Sequence, residues 1–203
     1  FSSTAATFGE PREIPISETA EQLPINPYGE SKLCFEKVLK WYSRIYGLKY
    51  VALRYFNAAG ATGNFGEDHH PESHLIPILL QVAQGKREKD TPDGTCIRDY
   101  IHILDLAQAH EKALYAPRSG HYNLGTGAGL SVKEILDTAR KVTGHPIPAD
   151  VVPRRPGDPP RLIACSDLAK KELGWKPEFE NAGAIIQSVW NWLQKHPDGY
   201  GDR

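Results

Sequence analysis

The run from Asn26 to Gly47 constrains the fold of this chain more than any other, because both ends of a helix are written into it. Asn is a preferred helix N-cap, Pro27 suits the first helical position, and Gly47 suits the residue just past the end. Between them Leu33, Phe35, Val38, Leu39, Tyr42 and Ile45 recur at helical spacing, which predicts one helix from Pro27 to Tyr46. Lys49 to Phe56 (KYVALRYF) follows at once, β-branched and aromatic with no breaker, and predicts a strand with Asn57 at its C-terminal end. Phe1-Ser2-Ser3-Thr4 reads as the end of a buried strand. Strand, helix, strand is the unit of an α/β fold.

The rest of the chain continues in that idiom. His74 to Gln84 predicts a short helix stopped by Gly85, Cys96 to Ile103 a strand, and Asp105 the cap of a helix to about Tyr115. HYNLGTGAG, from His121, opens a second unit, in which Ser131 and Glu134 form a capping box ahead of Val132, Ile135, Leu136, Ala139 and Val142 on one face. Pro146 to Pro160 holds six of the sixteen prolines; helices are expected near Asp167–Leu173 and Ala184–Lys195. With 203 residues, 40% of them hydrophobic, the chain has material for one ordinary core or two small ones. A net charge of -1 gives no bulk field for nucleic acid or an anionic membrane, so phosphate binding has to come from local arginines. Three scattered cysteines (Cys34, Cys96, Cys165) with no CxxC suit a reducing compartment, and no apolar run approaches the ~20 residues of a membrane span, so a cytoplasmic protein is expected. Met is absent even at position 1, which reads as a chain beginning partway through a longer protein.

Tyr28 and Lys32 share a helical face four positions apart, so the ammonium can lie near the phenol ring and favour the phenolate. A free phenol titrates near ~10, so a tyrosine base at neutral pH needs such a charge, and the first turn of a helix adds to it. Taken alone, the pair reads more readily as a half-buried tyrosine beside a solvated lysine.

FSSTAATFG, PYGESK, LRYFNAAGATG, IRDYIHILDLAQAH, YNLGTGAG and RRPGD, in this order over nearly the whole chain, change that balance. Together they resemble the extended short-chain dehydrogenase/reductase superfamily, and within it the UDP-glucose 4-epimerase family. The resemblance implies a Rossmann-type parallel sheet over residues 1–57, lacking its N-terminal part, followed by a mainly substrate-binding α/β domain over residues 58–203. It implies NAD as cofactor, a UDP-hexose substrate, inversion at C4 through a transient 4-keto sugar, and a homodimer built on the helix from Pro27. Thr4, Tyr28 and Lys32 match the catalytic set, and Ser2, Thr4, Tyr28, Lys32 and Phe56 the cofactor contacts. Asn57, His74, Leu75, Arg98, Arg155, Asp158 and Leu162, with Thr4 and Tyr28, match substrate contacts. His74 departs from the family's frequent Asn, and Leu162 is intermediate between residues that exclude and admit N-acetyl sugars. An N-acetylhexosamine epimerase therefore stays open. So do a 4,6-dehydratase and a non-catalytic sensor on the same scaffold, although Ala5-Ala6 after Thr4 cannot move protons as a dehydratase needs. The family's glycine-rich first half has no counterpart, so this chain alone is expected to be inactive.

Two other patterns imitate sites. GTGAG (Gly125 to Gly129) is one residue short of a dinucleotide fingerprint and reads as a turn that packs a helix closely. DHHPESH offers Asp68, His69, His70, Glu72 and His74, but Pro71 breaks any helix through His70 and His74. A polar loop without metal is expected there.

Overall fold

The computed structural model describes residues 1–89, 95–150 and 159–201. In chain order it has β1 (Ser2–Thr4), a 3-10 turn (Ala5–Phe8), α1 (Pro27–Tyr46), β2 (Val51–Tyr55), β3 (Asn57–Ala59), α2 (Leu75–Ala83), β4 (Ile97–His102) and α3 (Ile103–Ala113). There follow β5 (Gly120–Leu124), β6 (Gly129–Ser131), α4 (Val132–Thr143), β7 (Arg161–Leu162), α5 (Asp167–Leu173) and α6 (Ala182–Lys195). Among the described residues, no helix is long and apolar enough to cross a membrane.

The predicted helix ends are realised atom by atom. Asn26 Oδ1 accepts the Gly29 N–H at 2.8 Å, and Gly47 closes α1 in the left-handed conformation at φ 69°. Ser131 and Glu134 form the reciprocal capping box of α4. Asp105 is not a cap. Strand β4 runs straight into α3, so His102 caps it through Nδ1, while the buried Asp105 carboxylate accepts the distant N–H groups of Glu178 and Phe179.

The first sheet is parallel, in the order β1-β2-β5, with Thr4 opposite Tyr55 and Tyr55 opposite Leu124. Its strand β5 comes from beyond residue 57, so this sheet draws on both sides of that expected boundary. Helices α3 and α5 cover one face, where Leu106, Ala109, Ala169 and Leu173, with Trp175 just beyond α5, pack on Leu53, Tyr122 and Leu124. Asn57 does not end β2; it starts β3, which pairs with β4 in a second sheet completed by β6 and β7. Helices α2, α4 and α6 enclose the second core, where Trp190 and Trp192 are both buried.

The first sheet is tied to α1 by charge. Glu36 faces inward from the helix and accepts two guanidinium hydrogen bonds from Arg54 of β2, at 2.9 and 2.7 Å, both side chains being 3% exposed. Ser3 of β1 donates to the same carboxylate. Burial pushes the Glu36 carboxyl up, but Arg54, with Ser3 and Gln22, outweighs it and holds the group below the usual carboxylate range.

Candidate active site

Parallel strands gather ligand-binding groups at their carboxyl ends, where the loops leave the sheet. Here Thr4 ends β1 and Tyr55 ends β2, and both line a cleft of about 480 Å³ with Ser3, Tyr28, Phe56, Asn57, Glu67 and His74. Thr4 is buried; its Oγ1 accepts the Ala6 N–H at 3.2 Å, which leaves the hydroxyl hydrogen for a partner in the cleft. Tyr28, in the first turn of α1, is 56% exposed. Lys32 sits one turn on: its Nζ lies 5.7 Å from the centre of the Tyr28 ring and donates to the Ser2 carbonyl at 3.0 Å. One of its three ammonium hydrogens is used in that bond.

The approach of α1 to the end of β1 depends on one residue. A Cβ on Gly29 would lie 2.4 Å from the Ala6 carbonyl oxygen, a contact no side chain makes, so only glycine lets the first turn of the helix reach the turn after Thr4.

The structure thus brings Thr4, Tyr28, Phe56, Asn57 and His74 of the expected set to one cleft, with Lys32 behind Tyr28. Leu75 lines an adjoining recess with Asn57 and His74. Ser2 reaches the site indirectly, its Oγ 2.9 Å from the Tyr55 hydroxyl. Arg98 lies on β4, donates to the Ile97 carbonyl and makes no salt bridge among the described residues. Leu162, beside it on β7, is packed with Ala5, Phe8, Ile16, Phe56 and Ala164 and does not line the cleft. Arg155 and Asp158 lie outside the described residues.

Tyr55 and Glu67 were not singled out by the sequence. Tyr55 also bonds His110 Nε2, and burial raises its phenol while burial lowers the His110 imidazole. Its place at the C-terminal end of a parallel strand was the signal that could have found it. Glu67 hydrogen-bonds His74 Nδ1, which holds the His74 imidazole above its ordinary value.

The GTGAG turn binds a residue of the chain itself. The N–H groups of Thr126 (2.7 Å) and Gly127 (2.9 Å) and the Thr126 hydroxyl all donate to the buried Asp99 carboxylate, as does the Ala164 N–H. A Cβ on Gly125 would meet Asp99 Oδ2 at 2.5 Å, so the turn packs against a strand rather than a helix.

A family profile described as GDP-mannose 4,6 dehydratase matches residues 1–187. The UDP-glucose 4-epimerase of Halalkalibacterium halodurans is 55% identical over 98% of this chain and 64% of its own length. That of Streptococcus mutans is 56% identical over 100% of this chain and 65% of its own. The chain spans about two thirds of the length of these curated relatives, 64% and 65%. A crystal structure of UDP-glucose 4-epimerase superposes with a TM-score of 0.92 at 54% identity, covering 100% of this chain and 66% of that one. The enzyme from Bifidobacterium longum, solved in complex with NAD+ and UDP, superposes with a TM-score of 0.91 at 41% identity, covering 98% and 64%. With its parallel sheet, its Thr4–Tyr28–Lys32 grouping and these matches, the chain belongs to the extended short-chain dehydrogenase/reductase family, in the branch described by the GDP-mannose 4,6 dehydratase profile.

Proposed function

We propose that this chain is the catalytic and substrate-binding part of a UDP-glucose 4-epimerase that works with NAD. The observation that carries the reading is the convergence of Thr4, Tyr28 and Lys32 at the carboxyl end of a parallel sheet, with Ala5 and Ala6 where further proton-transfer groups would be needed for dehydration. Relatives named as epimerases agree with it.

In this reading Tyr28 takes the proton of the sugar 4-hydroxyl, and the Lys32 ammonium beside its ring favours the charged phenol. Thr4 donates a hydrogen bond to the reacting oxygen; loss of the C4 hydride together with that proton leaves a 4-keto sugar, which turns in the cleft before Tyr28 gives the proton back. NAD, when bound, would supply the reversible hydride acceptor for C4. The residues present fit that cofactor: Lys32 keeps donors beyond its Ser2 bond, and the exposed Ser2 hydroxyl lies 2.9 Å from the hydroxyl of Tyr55, which lines the cleft. Asn57, His74 and Leu75 would hold the nucleotide sugar, with Arg98, Arg155 and Asp158 completing the set, whereas Leu162, packed in the core beside the cleft, would act on it only through its neighbours. Residues 1–57 then serve the cofactor domain and residues 58–203 mainly the substrate, β5 excepted. A homodimer fits the apolar row that α1 leaves exposed: Phe35, Val38, Trp41, Tyr42, Ile45 and Tyr46.

A chimera carrying the first third of the Streptococcus mutans relative ahead of Phe1 provides the test. It is expected to interconvert UDP-galactose and UDP-glucose, and Tyr28→Phe to lower kcat by ~10²–10⁴-fold while UDP binding is kept. Unchanged turnover in Tyr28→Phe would remove the mechanism.

A further inference from the structure

The loop from Gly60 to His74 carries a donor set of which the epimerase reading uses only His74. Glu67, His69, Glu72 and His74 each offer one ligand atom, and these atoms all lie within 4.8 Å of one another. The sequence paired His70 with His74; the folded loop leaves His70 out and brings in Glu67 instead.

The arrangement is held from behind. Glu72, with its side chain 4% exposed, accepts the backbone N–H groups of Ser73 (2.7 Å) and His74 (2.8 Å) on Oε1. The Nδ1 atoms of His69 and His74 each stand 3.7 Å from that same oxygen, and their rings are stacked with centres 5.5 Å apart. Glu67 reaches His74 Nδ1 from the cleft side. Four bonds of ~2.0–2.1 Å in a tetrahedron separate neighbouring ligand atoms by roughly 3.3 Å, so the 3.7 Å spacings need only a slight contraction. The exposed His69 and His74 can make it by rotating their side chains. With a metal bound, two carboxylates and two neutral imidazoles carry a charge of about -2, which a divalent ion cancels. Two nitrogen donors favour a zinc-like ion over Mg2+ or Ca2+, which take oxygen.

We propose that Glu67, His69, Glu72 and His74 bind a divalent transition metal of the zinc class at the rim of the cleft, and that loading it withdraws Glu67 and His74 from the cleft and slows catalysis. Binding does not rest on the epimerase reading; the slowing does.

The first arm titrates this chain, without any histidine tag, with Co2+ and with Zn2+, following visible Co2+ absorption and heat of binding. One ion per chain is expected, with the intense bands of four-coordinate Co2+ and no competition from Mg2+ in excess. His69→Ala, at an exposed loop position outside the cleft lining, is expected to weaken binding on the order of tenfold or more, with the circular dichroism spectrum unchanged. Cys34→Ala and His145→Ala are expected to leave it intact. No binding, or equal affinity in His69→Ala, overturns the site. The second arm adds Zn2+ to the active chimera: inhibition is expected there and absent in its His69→Ala variant. Inhibition that persists in that variant overturns the link to catalysis. If the chimera proves inactive, the epimerase reading fails while the first arm still decides the metal site.

Discussion

Gly29 decides more of the site's geometry than its size implies. Replacing an exposed mid-helix glycine by alanine stabilises a helix by about 1 kcal/mol, because the unfolded chain loses freedom. At Gly29 the sign reverses: the new Cβ would meet the Ala6 carbonyl at 2.4 Å, and backbone cannot rotate away. Gly29→Ala is therefore expected to cost roughly 1–3 kcal/mol in urea unfolding and to move Tyr28 away from Thr4. A variant as stable as the parent would show that α1 has room to shift. Tyr28 and Lys32 were legible at this scale because spacing alone puts them on one face. Glu36 was not: a glutamate in a surface helix reads as solvated, and only its Arg54 partner, eighteen residues away on β2, turns it inward.

At the scale of the element, α1 and the first sheet are joined through that pair, and its pH dependence has a definite sign. The folded Glu36 carboxyl titrates below its ordinary value near 4.5, so its stabilisation is complete above about pH 4.5 and is lost as the pH falls through the lower folded value. Asp99 and Glu18, raised chiefly by burial, contribute in the opposite sense, so the comparison has to be between proteins. Glu36→Ala leaves Arg54 buried without its partner and is expected to cost ~3–5 kcal/mol at pH 7. That cost is expected to shrink when unfolding is measured near pH 3; a constant difference at all pH values would mean that Glu36 acts by packing. The long elements were legible because their caps and periodicity repeat one message: Asn26 and Gly47 for α1, Ser131 and Glu134 for α4. Strands β3, β6 and β7, of two or three residues, hold no period for a sequence to display. Asp105 misled because a carboxylate before an apolar run is also what a buried acceptor for distant N–H groups looks like.

For the whole molecule, the helix with the clearest sequence signature is also the one left least covered. Three of the four tryptophans, Trp175, Trp190 and Trp192, are buried, whereas Trp41 is 59% exposed in the open row of α1, with the Arg44 guanidinium 5.6 Å from its ring. The chain therefore carries its own optical probe. Emission from Trp41 in water lies to the red of the buried three, and covering the row should shift it to the blue. If the chimera pairs through α1, its spectrum is expected to move to the red on dilution, in step with the change in mass, and Trp41→Phe to remove the movement. A spectrum that stays fixed while the mass halves would place the contact on another face.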